Sequence, residues 1–496
     1  MKNFLTAHID LDIKNKKYDN LAFRFPPEPN GCLHLGHAKS IIINSFLAKK
    51  YNGKLYLRLD DTNPETENSE YVSRIIEDSN WLSLKSFDAI TYTSDYFENL
   101  YGAAVFLISN DLAYVDFSTE DEIRNARGGF ISADKPNVYR GTSVSDNLKL
   151  FNEMRSGKYA NGEAVLRAKI DLNHRNMNMR DPIIYRIKHA SHYRTGDDWC
   201  IYPMYDFAHP LSDAIEKISH SLCTLEFADH RVLYDWYVEK CFDLFKWKPV
   251  ELEFSRLSVE GVELSKRKLL KAVSENGLAW DDSRLPTVAG LRGKGITSDI
   301  LTEYILKCGF TKTDTVMPKH FLVDSIRKAM KSAPKITAII KPVKLNFIND
   351  EEGVMSDVII ERDDVRKDCE PDFWRVCPNG LVRLKNGYNF TTKSVIADLS
   401  VVEAEIDLNS RNLSLDVVKP RASIHWLTEY VKIKARFYED LFLNGEFNVN
   451  SMIEKDILIS PGFLLDSVYE FDRVGHFYID RNGIAHHLAW LKDSLF

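Results

Sequence analysis

The sequence reads as an α/β protein whose doubly wound sheet is interrupted by an inserted domain and followed by a helical segment and an all-β C-terminal region. Three observations predict this. A strand–loop–helix–strand pattern opens the chain and resumes near residue 200; a turn-rich polar stretch separates the two blocks; and after Lys335 the chain turns to short, β-branched, turn-bounded runs. With 496 residues, 44% of them hydrophobic, the chain can bury several cores.

Residues 21–25 (LAFRF) form an apolar strand ended by PPEPNG. LHLGHAKSIIINSFLAKKY then carries apolar residues at helical spacing, and GKLYLRLDDTNPE alternates Leu55, Leu57 and Leu59 before the carboxylates Asp60 and Asp61 and a proline stop. A βαβ unit is the simplest reading. Residues 96–200 break the rhythm with RNARGGFISADKPN and DLNHRNMNMRDP while keeping strand-like pieces such as PIIYRIK, as an insertion would. The α/β pattern returns in residues 201–255, residues 256–333 read mostly helical, and residues 334–496 read as β.

Lys plus Arg total 65 against 72 Asp plus Glu, a net charge of −7 that argues against a protein coating nucleic acid non-specifically. The N-terminus lacks a signal-peptide core and no stretch reaches the roughly 18 apolar residues of a membrane span. The expectation is a soluble, cytoplasmic protein without membrane contact. Seven scattered cysteines with no CxxC pair argue against a disulfide framework or a structural metal site.

Two motifs carry chemistry. Glu28-Pro29-Asn30-Gly31-Cys32-Leu33-His34-Leu35-Gly36-His37 sits after a strand and at the mouth of a helix, where N–H groups and the dipole favour an anion. Two histidines three apart could donate to phosphate oxygens; read alone, they could equally cap the helix. Neither a Walker loop nor GxGxxG occurs, so phosphate binding must use means other than those loops. Downstream, Glu263-Leu264-Ser265-Lys266-Arg267-Lys268 could swing cations onto a polyphosphate, although such runs are usually solvated surface.

Together these segments resemble class I aminoacyl-tRNA synthetases of the glutamate/glutamine subgroup, in the form found in glutaminyl-tRNA synthetases. PPEPNGCLHLGHAKS is similar to their HIGH region and ELSKRK to their KMSKS loop, and the likeness runs in order through LRLDDTNPE, NMNMRDPIIYRIKHA, YPMYDFAHPLSDAIEK, EFSRL and, more thinly, the C-terminal part. The resemblance implies a Rossmann-type catalytic domain (1–95 and 201–255), an inserted acceptor-stem-binding domain (96–200), a helical connector (256–333) and two anticodon-binding β-barrels (334–496). It implies ATP and Mg²⁺, L-glutamine and tRNA(Gln) as ligands, a monomer, and a two-step reaction through an aminoacyl-adenylate.

By the same resemblance His34, His37 and Lys266 are catalytic. Glu28, Pro29, Asn30, Leu35, Gly36, Ala38, Lys39, Ser40, Thr224, Arg256, Leu257, Leu264 and Ser265 join them in holding ATP. Asp60, Tyr205, His209, Arg24 and Cys223 form the amino-acid pocket. A buried Asp60 needs a cationic or donor partner, which the substrate ammonium would supply. Glutamyl enzymes resemble this chain but place an arginine where Cys223 stands, and a neutral thiol cannot pair a glutamate carboxylate. Three positions depart from the pattern: Leu264 for methionine, Glu263 for lysine, and Glu251 where glutamine is common. A glutamyl or non-discriminating enzyme, or a catalytically silent RNA-binding paralogue, therefore stays open.

For the RNA, residues 319–344 hold seven Lys or Arg and one Asp, and KPRASIHWLTEYVKIKAR interleaves basic residues with Trp426 and Tyr430. The resemblance adds Asp229 at the first acceptor-stem pairs and Arg362 near the anticodon. No metal ligands are assigned.

Overall fold

Residues 3–119, 122, 137–370, 372–396, 398–411 and 419–491 are described by the computed structural model. After α1 (Phe4–Lys14), strand β1 (Ala22–Phe25) leads into α2 (Leu35–Lys50), β2 (Lys54–Leu59), α3 (Ser69–Leu82) and β3 (Ala89–Tyr92). The three strands pair in parallel with β2 in the middle. α2 is apolar almost all round because it serves two cores: Ile41 and Ile42 pack with α3 and the helical segment, while Ile43 and Leu47 pack with α1 and the strands.

The chain then leaves the sheet. α4 (Phe97–Ser109), β4 (Ala113–Asp116), α5 (Val144–Arg155), β5 (Val165–Ala168), β6 (Ile183–Ile187) and β7 (Ile201–Pro203) build a four-stranded antiparallel sheet in the order β4–β5–β6–β7. Its last strand lies beyond the expected boundary at residue 200, since β7 needs β6 as its partner. Leu107, Leu166, Tyr185 and Tyr202 bury one face of this unit against Phe207 and Leu211 of α6 (Tyr205–Ile215) and Tyr237 of α7 (Arg231–Lys240). Most of RNARGGFISADKPN lies outside the described residues.

The parallel pattern returns with β8 (His220–Thr224) and β9 (Val250–Phe254), which pair in register from His220–Val250 to Thr224–Phe254. β8 comes beside β1, where Ser219 N–H donates to Ala22 O at 3.0 Å and Ser219 Oγ accepts from Ala22 N–H at 2.9 Å. The two-stranded sheet β8–β9 thus lies alongside β1 of the three-stranded sheet, and chain order reverses between β1 and β8. In such sheets the crevice at the reversal is where ligands bind.

α8 (Lys266–Asn276) and three further helices, Val288–Gly293, Ser298–Cys308 and His320–Ala329, follow. Leu291, Ile300, Leu301 and Ile305 from these share a core with α2, α3 and Leu488 near the C-terminus. Two seven-stranded, mostly antiparallel, barrel-like sheets complete the fold, each around its own core. The chain lays Lys335–Ile336 and Ala338–Ile339 into one sheet, builds the other from Pro342–Phe347 to Trp426–Leu427, and returns to the first from Val431–Tyr438 onward. The sequence argued against a disulfide framework; five cysteines are free, while Cys369 and Cys377 form a single disulfide. The bridge between Val365 and Val376 draws the two sides of their loop together, leaving the Cα atoms 5.5 Å apart.

Candidate active site

A cleft of about 790 Å³ opens where β1 and β8 meet. Its wall carries Arg24, Glu28, Asn30, Gly36, Lys39 and Ser40 together with His34 and His37, its far side Tyr205, His209, Cys223 and Thr224, and its rim Arg256, Leu257, Leu264, Ser265 and Lys266. Residues more than 200 positions apart are thus brought together. Pro29, Leu35, Ala38 and Asp60 lie behind this surface, with Leu35 at 1% and Ala38 at 0% exposure in the core. Asp229 and Arg362 are exposed and away from the cleft wall, and Asp229 O accepts from Asn176 Nδ2 at 2.6 Å.

His34 is the N-cap of α2 and also faces the cleft, so capping and a ligand role do not compete. His34 Nδ1 accepts from Gly36 N–H at 3.0 Å, and His37 Nδ1 accepts from His34 N–H at 3.1 Å. The helix N–H groups expected to meet an anion are therefore already used, and Leu35 N–H donates to Pro286 O at 2.9 Å. This corrects the reading of α2 as an open anion cup. With both Nδ1 atoms accepting, each neutral ring carries its proton on Nε2. Burial, with Lys266 nearby, lowers the His34 imidazole to about 4 and, with His34 added, pushes His37 well below its ordinary range. The rings, with centroids 3.9 Å apart, form a pair of uncharged Nε2–H donors. Gly36 makes room for this: a Cβ there would stand 2.8 Å from His34 Cε1.

Lys266 begins α8 and donates through Nζ to Asn30 Oδ1, which brings the second motif onto the first. Burial lowers its ammonium, opposed by Glu28. The unusual Glu263 does not add a free negative charge. Its carboxylate accepts from Ser265 N–H at 2.9 Å and from Lys268 Nζ at 2.6 Å. Arg256 pairs with Glu226 at 2.7 Å. Lys39, expected on the nucleotide, instead gives its ammonium to Ser255 O and Oγ, tying α2 to the end of β9.

The floor is a buried ionic network. Arg24, with 0% exposure, engages both Asp213 oxygens, Leu222 O, Ser221 Oγ and His209 Nε2. Arg58, equally buried, donates to Asp60 at 2.8 Å, Asp213 at 2.8 Å and Glu216 at 2.9 Å. His209 Nδ1 donates to Asp60 Oδ2 at 3.0 Å and Thr93 Oγ1 to Asp60 Oδ1 at 2.9 Å. The partner that Asp60 requires is thus Arg58 of the chain itself rather than a substrate ammonium. Burial alone would raise Asp60, but Arg58 and His209 outweigh it and hold the carboxyl at about 2. Tyr205 stacks on His209 at 4.9 Å and presents the network to the cleft.

Arg58, Asp213 and Glu216 escaped the sequence reading. Only part of a signal was present: Arg58 and Asp60 share one strand face, and His209 and Asp213 stand four apart on one helix face, but nothing local joins the two faces. The basic stretch 319–344 proves largely compensated. Lys319, Arg327, Lys328, Lys335, Lys341 and Lys344 each have a carboxylate within 4.0 Å, from the same helix for Arg327 and from neighbouring helices, strands and loops for the others. Among the described residues no group of three or more His, Cys, Asp or Glu could hold a metal ion, and no helix is long and apolar enough to cross a membrane.

Comparison with known proteins matches residues 20–331 to the catalytic domain of tRNA synthetases class I (E and Q). A glutamine–tRNA ligase of Clostridium perfringens is 40% identical over 97% of this chain and 95% of its own length, and one of Haemophilus influenzae 41% over 96% and 93%. A glutamate–tRNA synthetase structure from Elizabethkingia anophelis aligns over 63% of this chain and 71% of that one, with a TM-score of 0.47 and 18% identity. With its HIGH-type histidines and KMSKS-type lysine facing one cleft, and with this match across the catalytic region, the chain belongs to the class I tRNA synthetases of the glutamate and glutamine type.

Proposed function

We propose that the chain is a cytoplasmic, monomeric glutamine–tRNA ligase. It joins L-glutamine to ATP as glutaminyl-adenylate, releasing pyrophosphate, and passes the acyl group to the 3′-terminal ribose of tRNA(Gln), releasing AMP. The observation that carries this reading is the convergence of His34, His37 and Lys266 on a cleft whose other wall is Tyr205 and the neutral thiol Cys223, in a chain about 40% identical to glutamine–tRNA ligases along nearly its whole length.

Attack of the glutamine carboxylate concentrates negative charge on the α-phosphate. Two preset, uncharged Nε2–H donors meet that charge without a proton transfer, and Lys266 neutralises the departing pyrophosphate. Among the described residues no group of three or more His, Cys, Asp or Glu could hold Mg²⁺, so the ion would be held by the nucleotide's own phosphates and would supply charge neutralisation there. Thr224, Leu257 and Leu264 flank the adenosine side. At the amino-acid end a thiol leaves the charge of a glutamate side chain unmatched, which favours the amide.

In this reading the Rossmann-type halves 1–95 and 201–255 hold the chemistry. The insertion, with Asp229 beside it, takes the acceptor stem; the connector 256–333 joins it to the two β-barrels, where Arg362 meets the anticodon. The exposed ion pairs along 319–344 contribute only about 0–1 kcal/mol each, so tRNA phosphates can replace their carboxylates at small cost. The test is glutamine-dependent exchange of pyrophosphate into ATP, with and without tRNA(Gln). Exchange that is abolished in Lys266→Ala supports the reading; tRNA binding without exchange would make the chain a silent paralogue.

A further inference from the structure

Glu251 is a buried carboxyl that the mechanism above does not use. It stands on β9 beside β8, is 4% exposed, and its Oε2 has no hydrogen-bond partner among the described residues. The Cys223 thiol, which lines the cleft, stands beside this carboxyl on the neighbouring strand, two residues along from Ser221, the residue paired with Glu251. An ionised Glu251 would therefore place a negative charge beside a thiol that lines the cleft.

On the glutamine reading above, we propose that Glu251 acts through Cys223 as an electrostatic filter that rejects glutamate when it is ionised and relaxes when it is protonated. The charged and titratable groups facing it come from every neighbouring element: Arg24 on β1, Tyr205 and Asp213 on α6, Cys223 on β8, Tyr234 on α7 and Glu253 on its own strand. Arg24 is the one cation among them, and Asp213 already engages it through both oxygens. Glu253 is drawn to Arg231 at 3.6 Å, on the outer side of α7. Burial raises the Glu251 carboxyl, and Asp213 and Glu253 add to the rise against the pull of the Cys223 thiol and Arg24, leaving it at about 7. The Cys223 thiol is itself raised well above its ordinary range by burial and by Glu251, so it stays an uncharged S–H donor.

The consequence is a pH-dependent choice. The side chain of free glutamate is ionised from pH 6 to pH 8, so the competing substrate does not change over this interval. Glu251 does. If glutamate enters only against the protonated form, the competent fraction falls from about nine-tenths at pH 6 to about one-eleventh at pH 8, and discrimination rises about tenfold. Neutral glutamine meets no such penalty. A glutamine at this position would supply a donor and acceptor of the same shape but no charge.

The test measures kcat/KM for charging tRNA(Gln) with glutamine and with glutamate from pH 6 to pH 8, in the wild type and in Glu251→Gln. The ratio of the two cancels any pH dependence shared by both reactions, and the wild-type profile needs no variant. The expected result is a ratio that climbs about tenfold in the wild type and stays flat in Glu251→Gln. A flat wild-type ratio, or an equal climb in both proteins, overturns the filter while leaving glutamine charging intact. Failure of the wild type to charge glutamine at all overturns the underlying reading and the filter with it.

Discussion

Replacing His37 with asparagine and, separately, with glutamine divides the two duties that the structure gives this ring. Its Nδ1 accepts from His34 N–H at 3.1 Å, and its Nε2–H is left for the cleft. Asparagine places an amide oxygen close to the Nδ1 position, so the cap survives but nothing reaches the phosphate. Glutamine carries its amide nitrogen out to the Nε2 position, so the donor survives and the cap is lost. Loss of one preset donor to a developing oxyanion costs about 100- to 1000-fold in kcat, or roughly 2.7–4 kcal/mol. Loss of the cap costs about 0.5–2 kcal/mol of stability. His37→Asn should therefore keep its melting temperature within about 2 °C while adenylate formation collapses, and His37→Gln should melt about 2–4 °C lower per kcal/mol lost while keeping more of the rate. Scanning calorimetry paired with single-turnover adenylate formation reads both. Wild-type kcat in His37→Asn would show that the ring is only a cap, and the reasoning from its tautomer would fail.

Three further outcomes follow from the same geometry. A Cβ on Gly31 would stand 2.9 Å from Lys266 Cε, so Gly31→Ala should push Lys266 off Asn30 and cut kcat by up to about 100-fold, with calorimetry showing no loss of stability. Arg58→Met removes the cation shared by Asp60, Asp213 and Glu216, leaving Arg24 on Asp213 alone, and should cost about 3–5 kcal/mol, read as a lower urea midpoint. Because His34 titrates at about 4 when folded and near 6.5 when unfolded, the unfolded chain binds the extra proton between those values. Stability should rise with pH from about 4 to about 6.5, and His34 should add no acid limb near 6.5 to the rate. A shallower rise in His34→Gln than in the wild type, measured by urea titration at several pH values, is the check.

Much of this organisation was legible in the sequence because it rests on local periodicity. The proline stop after LAFRF, the helical spacing from Leu35 and the alternating leucines of β2 each report a structure formed within a few residues. What stayed hidden depends on contacts between distant segments. No local signal says that Arg58 will meet Asp213 and Glu216 from α6 and its C-terminal end, or that Asn30 will hold Lys266 across 236 positions. The same limit explains the misplaced partner for Asp60: the cost of burying a carboxylate was clear, but the cation that offsets it had to be found in space. The anion cup at α2 failed for a different reason. Its N–H groups are consumed by the side chains of His34 and His37, a local contact whose geometry depends on the room that Gly36 leaves.

The most direct test of the central claim is aminoacylation of purified tRNA(Gln) and tRNA(Glu), each with radiolabelled glutamine and with radiolabelled glutamate, at pH 8. The account predicts acid-precipitable counts for glutamine on tRNA(Gln) and a far weaker signal in the other three combinations. Equal or stronger charging with glutamate would contradict it and assign the cleft to a glutamyl enzyme.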